Sequence, residues 1–250
     1  MVAAGKGTRL KSSGDVKPLV ELHGVPLIEH AMAAGVRAGV TRFVVVTGYE
    51  APQLETRLQE IKKQHRWEIV TIRNPDFEKA NGLSVLRGEQ LLCDEFYLAM
   101  CDHLVDSAIY HRLADASLPK GAIALAVDRR MENPDIDIDD VTKVNTAGDK
   151  IVNIGKTLAA YNAFDTGIFR ANASLFSAIR QSEQGSGDCS ISGGMKILAQ
   201  DGRAIAVDVG SARWIDVDSP QMLRRADDWR LETQADEASL VRECAYSKMQ

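Results

Sequence analysis

Residues 1–10 read MVAAGKGTRL: two glycines two apart, then Thr8 and Arg9. Placed between a strand and a helix, such a turn can cradle phosphate oxygens with backbone N–H groups. Gly5 and Gly7 let the backbone approach a ligand closely. The stretch is not a Walker loop, because no Gly-Lys-Ser/Thr sits at the right spacing. It is not the dinucleotide fingerprint either, since Leu10 stands where the third glycine belongs. Taken alone, it reads equally well as a tight βα turn. Arg9 adds a guanidinium suited to bidentate phosphate contact, and Lys17, fixed by Pro18, adds a second cation. Two cations beside a glycine turn favour an anionic ligand over a purely structural loop.

Working outward, PLIEHAMAAGVRAG (26–39) carries apolar residues at helical spacing, so a helix is expected near 26–38. The run TRFVVVTGY (41–49) reads as a buried strand ending at Gly48. Helix 51–64, strand 67–74, helix 82–92, strand 95–103, helix 106–116 and strand 121–128 follow. This alternation predicts an α/β fold with a mostly parallel, doubly wound sheet. Residues 129–165 break the rhythm. There, DVTKVN and KIVNIG flank a Thr146–Asp149 turn, which predicts a polar hairpin forming one wall of the site. Strand 163–170, helix 172–181, a loop over 183–194, helix 194–200 and strand 204–210 complete the reading. The tail beyond about 233 is polar and reads as a peripheral helix, which leaves 1–232 as one domain.

The 250 residues suit one large α/β domain. Acidic side chains outnumber basic ones, 35 to 30, which argues against nonspecific nucleic-acid binding. Four scattered cysteines without a C-x-x-C pair fit reduced thiols, so the cytoplasm is the expected location. No run approaches the roughly 18 apolar residues of a membrane span, and no signal peptide is visible.

AAGKGTRL followed by KPLVELHGVPLI (17–28) resembles the signature of the nucleotidyltransferases that make NDP-sugars and related activated phosphates. AMCDH (99–103) and WIDVDSPQML (214–223) are similar to two further elements of that family. The resemblance implies a Rossmann-like three-layer sandwich of the nucleotide-diphospho-sugar transferase type. It implies that Ala3, Ala4, Gly5, Gly7 and Thr8 bind the nucleotide, and that Arg9 holds the β- and γ-phosphates. Lys17 would sit near the α-phosphate. Asn81, Gly82 and Ser84 occupy the place where the family reads the base; Asn81 equally fits a helix cap. Mg²⁺ is the implied cofactor, held by Asp102 and Asp218. Asp216 is the alternative ligand, because D-x-D spacing on a strand puts both carboxylates on one face. Asp218-Ser219-Pro220 also reads as an N-cap with a helix-starting proline.

MCDH, IGKTLAAYNAFDTGIF (154–169) and GDCSISGGM (187–195) resemble the cytidylyltransferases that activate inositol 1-phosphate, a domain that often precedes a membrane-embedded phosphotransferase. That likeness implies CTP as donor, Lys156 on the acceptor phosphate, and Asp165, Tyr161 and Asn162 on the acceptor. Phosphocholine or a sugar 1-phosphate is the alternative acceptor, and an NTP-binding regulator without turnover is the alternative class. The partners are an NTP and a small phosphorylated acceptor, with the oligomeric state open. Only Met1 and Val2 precede the two alanines, so the first strand is expected to be short and the glycine turn loosened.

Overall fold

The computed structural model describes residues 1–10, 16–92 and 94–229. The strands are β1 (Val2–Ala3), β2 (Glu21–Leu22), β3 (Val25–Pro26), β4 (Arg42–Thr47), β5 (Glu68–Arg73), β6 (Phe96–Ala99) and β7 (His103–Val105). They continue with β8 (Ile123–Asp128), β9 (Lys143–Ala147), β10 (Lys150–Gly155), β11 (Ala163–Ala171), β12 (Ala204–Asp208) and β13 (Trp214–Asp216). The helices are α1 (Leu27–Arg37), α2 (Ala51–His65), α3 (Gly82–Gly88), α4 (Ser107–Asp115), α5 (Ala173–Ser186) and α6 (Ile191–Gln200).

Parallel pairs β5·β4 and β4·β1 form one half of the central sheet. A parallel bridge from Val2 to Met100 joins it to the other half. There β11 runs antiparallel to both β6 and β8, and β12 returns parallel to β8. The order β5-β4-β1-β6-β11-β8-β12 is mostly parallel with β11 reversed, and the antiparallel hairpin of β10 and β9 continues the sheet beyond β12. Strand β8 shows why it sits in the middle. Ile123, Leu125 and Val127 enter a core with α5 and α6, while Ala124 and Ala126 enter another with α1 and α4. Alternate residues of a strand point to opposite faces, so a strand apolar on both must be covered on both. Helices α1 and α2 share a further core with β4 and β5. The expected three-layer sandwich is the observed architecture.

Three boundaries differ from the sequence reading. The strand expected over 95–103 stops at Ala99, turns, and resumes as β7, which pairs with β13. Asp102 thus sits in a turn rather than at a strand end. The loop expected over 183–194 is helical at both ends, because α5 runs to Ser186 and α6 starts at Ile191. Gly193 and Gly194 are helical residues whose missing Cβ lets α6 lie against Ser182 and Ile179 of α5. At 218–220 the cap is Ser219, whose Oγ accepts from Met222 N at 3.2 Å. Asp218 is thereby left for other partners. The polar tail beyond 233 lies outside the described residues. Among the described residues no helix is long and apolar enough to cross a membrane.

Strand β1 is two residues long. It meets β4 only at Val46 and Thr47, with the Met1 amine donating to Val44 O at 2.8 Å. Beside it, β4 and β6 diverge around an apolar cleft of about 510 Å³ lined by Val44, Val85, Leu92, Phe96 and Leu98. The glycine turn nevertheless keeps its anchor, since Tyr49 N donates to Ala4 O at 2.9 Å and Cys101 N to Val2 O at 3.2 Å.

Candidate active site

The glycine turn leaves the C-terminal end of β1, where open α/β sheets place their ligands. Ala3 and Ala4 are buried beneath it, and the space over Gly5 is open. Gly7 has φ +55°, and a Cβ there would overlap the stem of Lys17, so glycine is required twice over. Lys17 opens a 3₁₀ turn with Pro18 behind it. Its chain is buried, and its ammonium pairs with Asp102 and Asp218, with Asp216 at 3.9 Å. Burial alone would drive the amine towards neutrality. Asp102 and Asp216 outweigh that and hold its pKa above the ordinary lysine value.

These carboxylates arrive from two elements. Asp102 ends the turn after β6, and Asp216 and Asp218 follow along and beyond β13, whose pairing with β7 sets Asp216 opposite His103. The His103 ring stacks on Trp214 at 6.0 Å and donates from Nδ1 to Thr166 O at 2.8 Å. Its Nε2 stands 3.4 Å from Asp216. Burial disfavours the charged ring, but Asp216 and Asp102 hold it protonated, and the imidazolium in turn keeps Asp216 ionised. Gly167, at φ +77°, makes room for the ring.

Donor atoms of Asp140, Asp216 and Asp218 lie within 4.8 Å of one another, and so do those of Asp102, His103 and Asp216. Asp216 Oδ1 is buried without a hydrogen-bond partner among the described residues. Clustered hard oxygens and one unsatisfied carboxylate oxygen suit a divalent cation. The D-x-D pair thus does converge, although Asp218 lies past the end of β13.

Two clefts meet at this cluster. One, of about 330 Å³, runs from Gly5, Gly7 and Arg9 past Lys17 to Phe77 and Lys79. The other, of about 190 Å³, lies between Asp165, Thr142, Lys156, Ser192 and Trp214. Asn81, Met100, Asp102 and Asp218 line both.

Arg9 donates to Asp218 at 2.6 Å and to Asp140 at 2.7 Å, and Lys156 donates to Asp140 at 2.7 Å. Asn81 does not cap its own helix. Its Oδ1 accepts from Ile191 N at 3.0 Å, which satisfies a first-turn donor of α6. Ser84 is buried and accepts from Asn74 at 3.0 Å. Gly82 packs against the Cys189 carbonyl, so its missing Cβ permits a close approach of α3 to the turn between α5 and α6.

Tyr161 and Asn162 are not brought to the acceptor cleft. Tyr161 packs on Phe164, with Lys143 Nζ 5.6 Å from its ring. Asn162 spends its amide on Thr146: Oδ1 accepts from Thr146 N and Oγ1, and Nδ2 donates to Thr146 O, which ties β9 to β11. Asp140, His103, Phe77 and Lys79 reach the site without having been singled out. For Asp140 the available signal was the polar excursion 129–165, which does form a wall.

Asp165 is half-buried in the second cleft and accepts from Gly167 N at 2.7 Å. Burial pushes its pKa up to about 6, against the pull of that N–H and of His103. The unfolded carboxyl ionises near 3.8, so between about pH 4 and 6 the unfolded chain gives up a proton that the folded one keeps. Folding stability from this group therefore falls as pH rises through that window. Asp165→Asn is expected to remove up to about 3 kcal/mol of this pH dependence. Urea melts of both proteins at pH 4 and pH 7 would measure it, and parallel curves would refute it.

The profile of the MobA-like NTP transferase domain matches residues 1–201. The chain belongs to the MobA-like NTP transferase family. This NTP transferase is 30% identical over 239 residues to the bifunctional IPC transferase and DIPP synthase of Rubrobacter xylanophilus, a match covering 91% of the chain. It is 32% identical over 228 residues to the protein of that description in Thermococcus kodakarensis, covering 90% of the chain. The NTP transferase spans about half the length of these relatives, 50% and 49%. Among solved structures, the inositol-1-phosphate CTP transferase from T. maritima superposes with TM-score 0.78 at 27% identity, covering 88% of this chain and 89% of that one. UDP-glucose pyrophosphorylase with UDP-glucose, at TM-score 0.71 and 18% identity over 93% of this chain and 97% of that one, shares the fold.

Proposed function

We propose that this NTP transferase domain, running to about residue 232, transfers the cytidylyl group of CTP to inositol 1-phosphate and releases pyrophosphate. The observation that carries the reading is the meeting of two clefts at one lysine and a set of carboxylates. A donor in the larger cleft and an acceptor in the smaller would face each other there.

In this reading an acceptor phosphate oxygen attacks the α-phosphorus of CTP in line. The bond from that phosphorus to the β-phosphate oxygen breaks, and its electrons leave with pyrophosphate. The acceptor phosphate is already ionised at neutral pH, so no protein nucleophile is required. Positioning and charge neutralisation supply the rate. Gly5 and Gly7 present backbone N–H groups to the triphosphate. Arg9 holds the phosphates that leave, and Lys17 neutralises charge growing at the α-phosphate. Lys156 holds the acceptor phosphate.

Asp102 and Asp218, with Asp216, would hold a divalent cation, which supplies further neutralisation of phosphate charge. The reading assigns magnesium as that cation and the cytoplasm as the place of reaction.

The smaller cleft supports a polyol. Asp165, Thr142, Ser192 and Asn81 offer hydroxyl partners, whereas a quaternary ammonium calls for an aromatic cage. Trp214 and Phe169 are the aromatic residues lining it, and Tyr161 packs elsewhere. The 27% identity to an inositol-1-phosphate CTP transferase supports the same choice.

The test is pyrophosphate release from the protein with Mg²⁺, each of four NTPs, and a panel of inositol 1-phosphate, phosphocholine and sugar 1-phosphates. Release with CTP and inositol 1-phosphate is expected. Release with another pair would replace the substrates and keep the mechanism. Folded protein silent with every pair would overturn the proposed transfer.

A further inference from the structure

Asp140 belongs to the polar excursion, yet its carboxylate touches both cations assigned to phosphate. Oδ2 accepts from Arg9 at 2.7 Å and Oδ1 from Lys156 at 2.7 Å. One oxygen therefore serves the donor cleft and the other the acceptor cleft. The residue is held firmly. A turn at 137–141 is closed by Asp140 N and Val141 N donating to Asp137 O at 3.1 and 2.8 Å. Ile136 and Val141 on either side are buried in the core beneath. Burial would raise the Asp140 pKa, but Arg9 and Lys156 overcome it and keep the carboxylate ionised. Arg9 also bonds Asp218. Without Asp140, both of its charged hydrogen bonds would fall to that one carboxylate.

We infer that Asp140 is a positioning residue that fixes Arg9 and Lys156 at a set separation across the junction of the two clefts. Its carboxylate shares the Arg9 guanidinium with Asp218 and pins the otherwise exposed Lys156 ammonium at the acceptor mouth. The two phosphate-binding cations are thereby placed by one anchor. The inference rests on the proposed transfer for the roles of the cations, not for their geometry.

Charge alone and placement predict opposite signs. A carboxylate beside two cations lowers the local positive potential, so deleting its charge should by itself tighten anion binding. Loss of placement should loosen it. The probe is inorganic pyrophosphate, titrated calorimetrically into wild type, Asp140→Asn, Asp140→Glu, Lys156→Ala and the Asp140→Asn/Lys156→Ala double variant. Asp140→Asn is expected to weaken pyrophosphate about tenfold, with Asp140→Glu recovering part of the loss.

In the turnover assay, Asp140→Asn should lower kcat/KM for the acceptor by about thirtyfold. The double variant should lose less than the product of the two single losses, because the Lys156 share of the Asp140 effect is already gone while the Arg9 share remains. Unchanged or tighter pyrophosphate binding in Asp140→Asn would overturn the inference, as would fully additive losses. A wild type that binds pyrophosphate but turns over no substrate pair would count against the proposed transfer alone. The binding arm would then still decide Asp140.

Discussion

Lys17→Met is expected to lower kcat about a thousandfold or more, equivalent to about 4 kcal/mol of transition-state stabilisation. The substitution keeps the length and the apolar stem that packs under Gly7, so the buried path of the chain survives. What disappears is the ammonium shared by Asp102 and Asp218 and faced by Asp216. Asp102 then loses its close counter-charge, while Asp218 keeps Arg9 and Asp216 keeps the His103 imidazolium, and the added negative charge favours uptake of a proton or a cation. The variant should accordingly gain more melting temperature from added Mg²⁺ than the wild type gains. Steady-state pyrophosphate release and thermal melts with and without Mg²⁺ check both parts. Turnover within tenfold of wild type would remove Lys17 from the chemistry.

The largest expected loss of stability lies just outside the site. Asp128 is fully buried at the end of β8. Its carboxylate accepts from Arg130 N and guanidinium, from Asn133 Nδ2 and from Trp214 Nε1, each at 2.8–2.9 Å. That one group ties the polar excursion to the strand carrying Asp216. Asp128→Ala leaves the indole N–H buried without its acceptor and half-strands the arginine, at a cost of about 3 kcal/mol or more. Asp128→Asn, which keeps one acceptor oxygen, should cost less. Urea midpoints measure the order, and an alanine variant within 1 kcal/mol of wild type would show that the network is dispensable.

The central sheet was legible because β-branched runs and helical stripes recur at the right periods, most plainly in IALAVD, apolar on both faces. The glycine turn and Lys17 were legible because few structural needs explain two cations beside two glycines. Other features depend on distant partners, which local patterning does not encode. The strand over 95–103 breaks where Met100 and Cys101 hand over to Val2, so alternation alone reads straight through it. Gly193 and Gly194 look like loop residues until α5 is seen lying on them. Asn162 sits in a polar stretch beside Asp165, but the pairing of β9 with β11 consumes its amide. Asp140 is one of four aspartates within six residues, 135–140, and only the fold shows which of them meets Arg9 and Lys156.

Asn81 lines both clefts, and its Oδ1 holds the first turn of α6 at Ile191 N. Gly82 beside it lies against the Cys189 carbonyl. The start of α3 is thereby clasped to the start of α6, so that neither helix shifts without the other. A ligand that settles α3 from the larger cleft would also settle Ser192, which lines the smaller one. Filling one cleft would then stiffen part of the other, a coupling that runs through backbone packing rather than through charge.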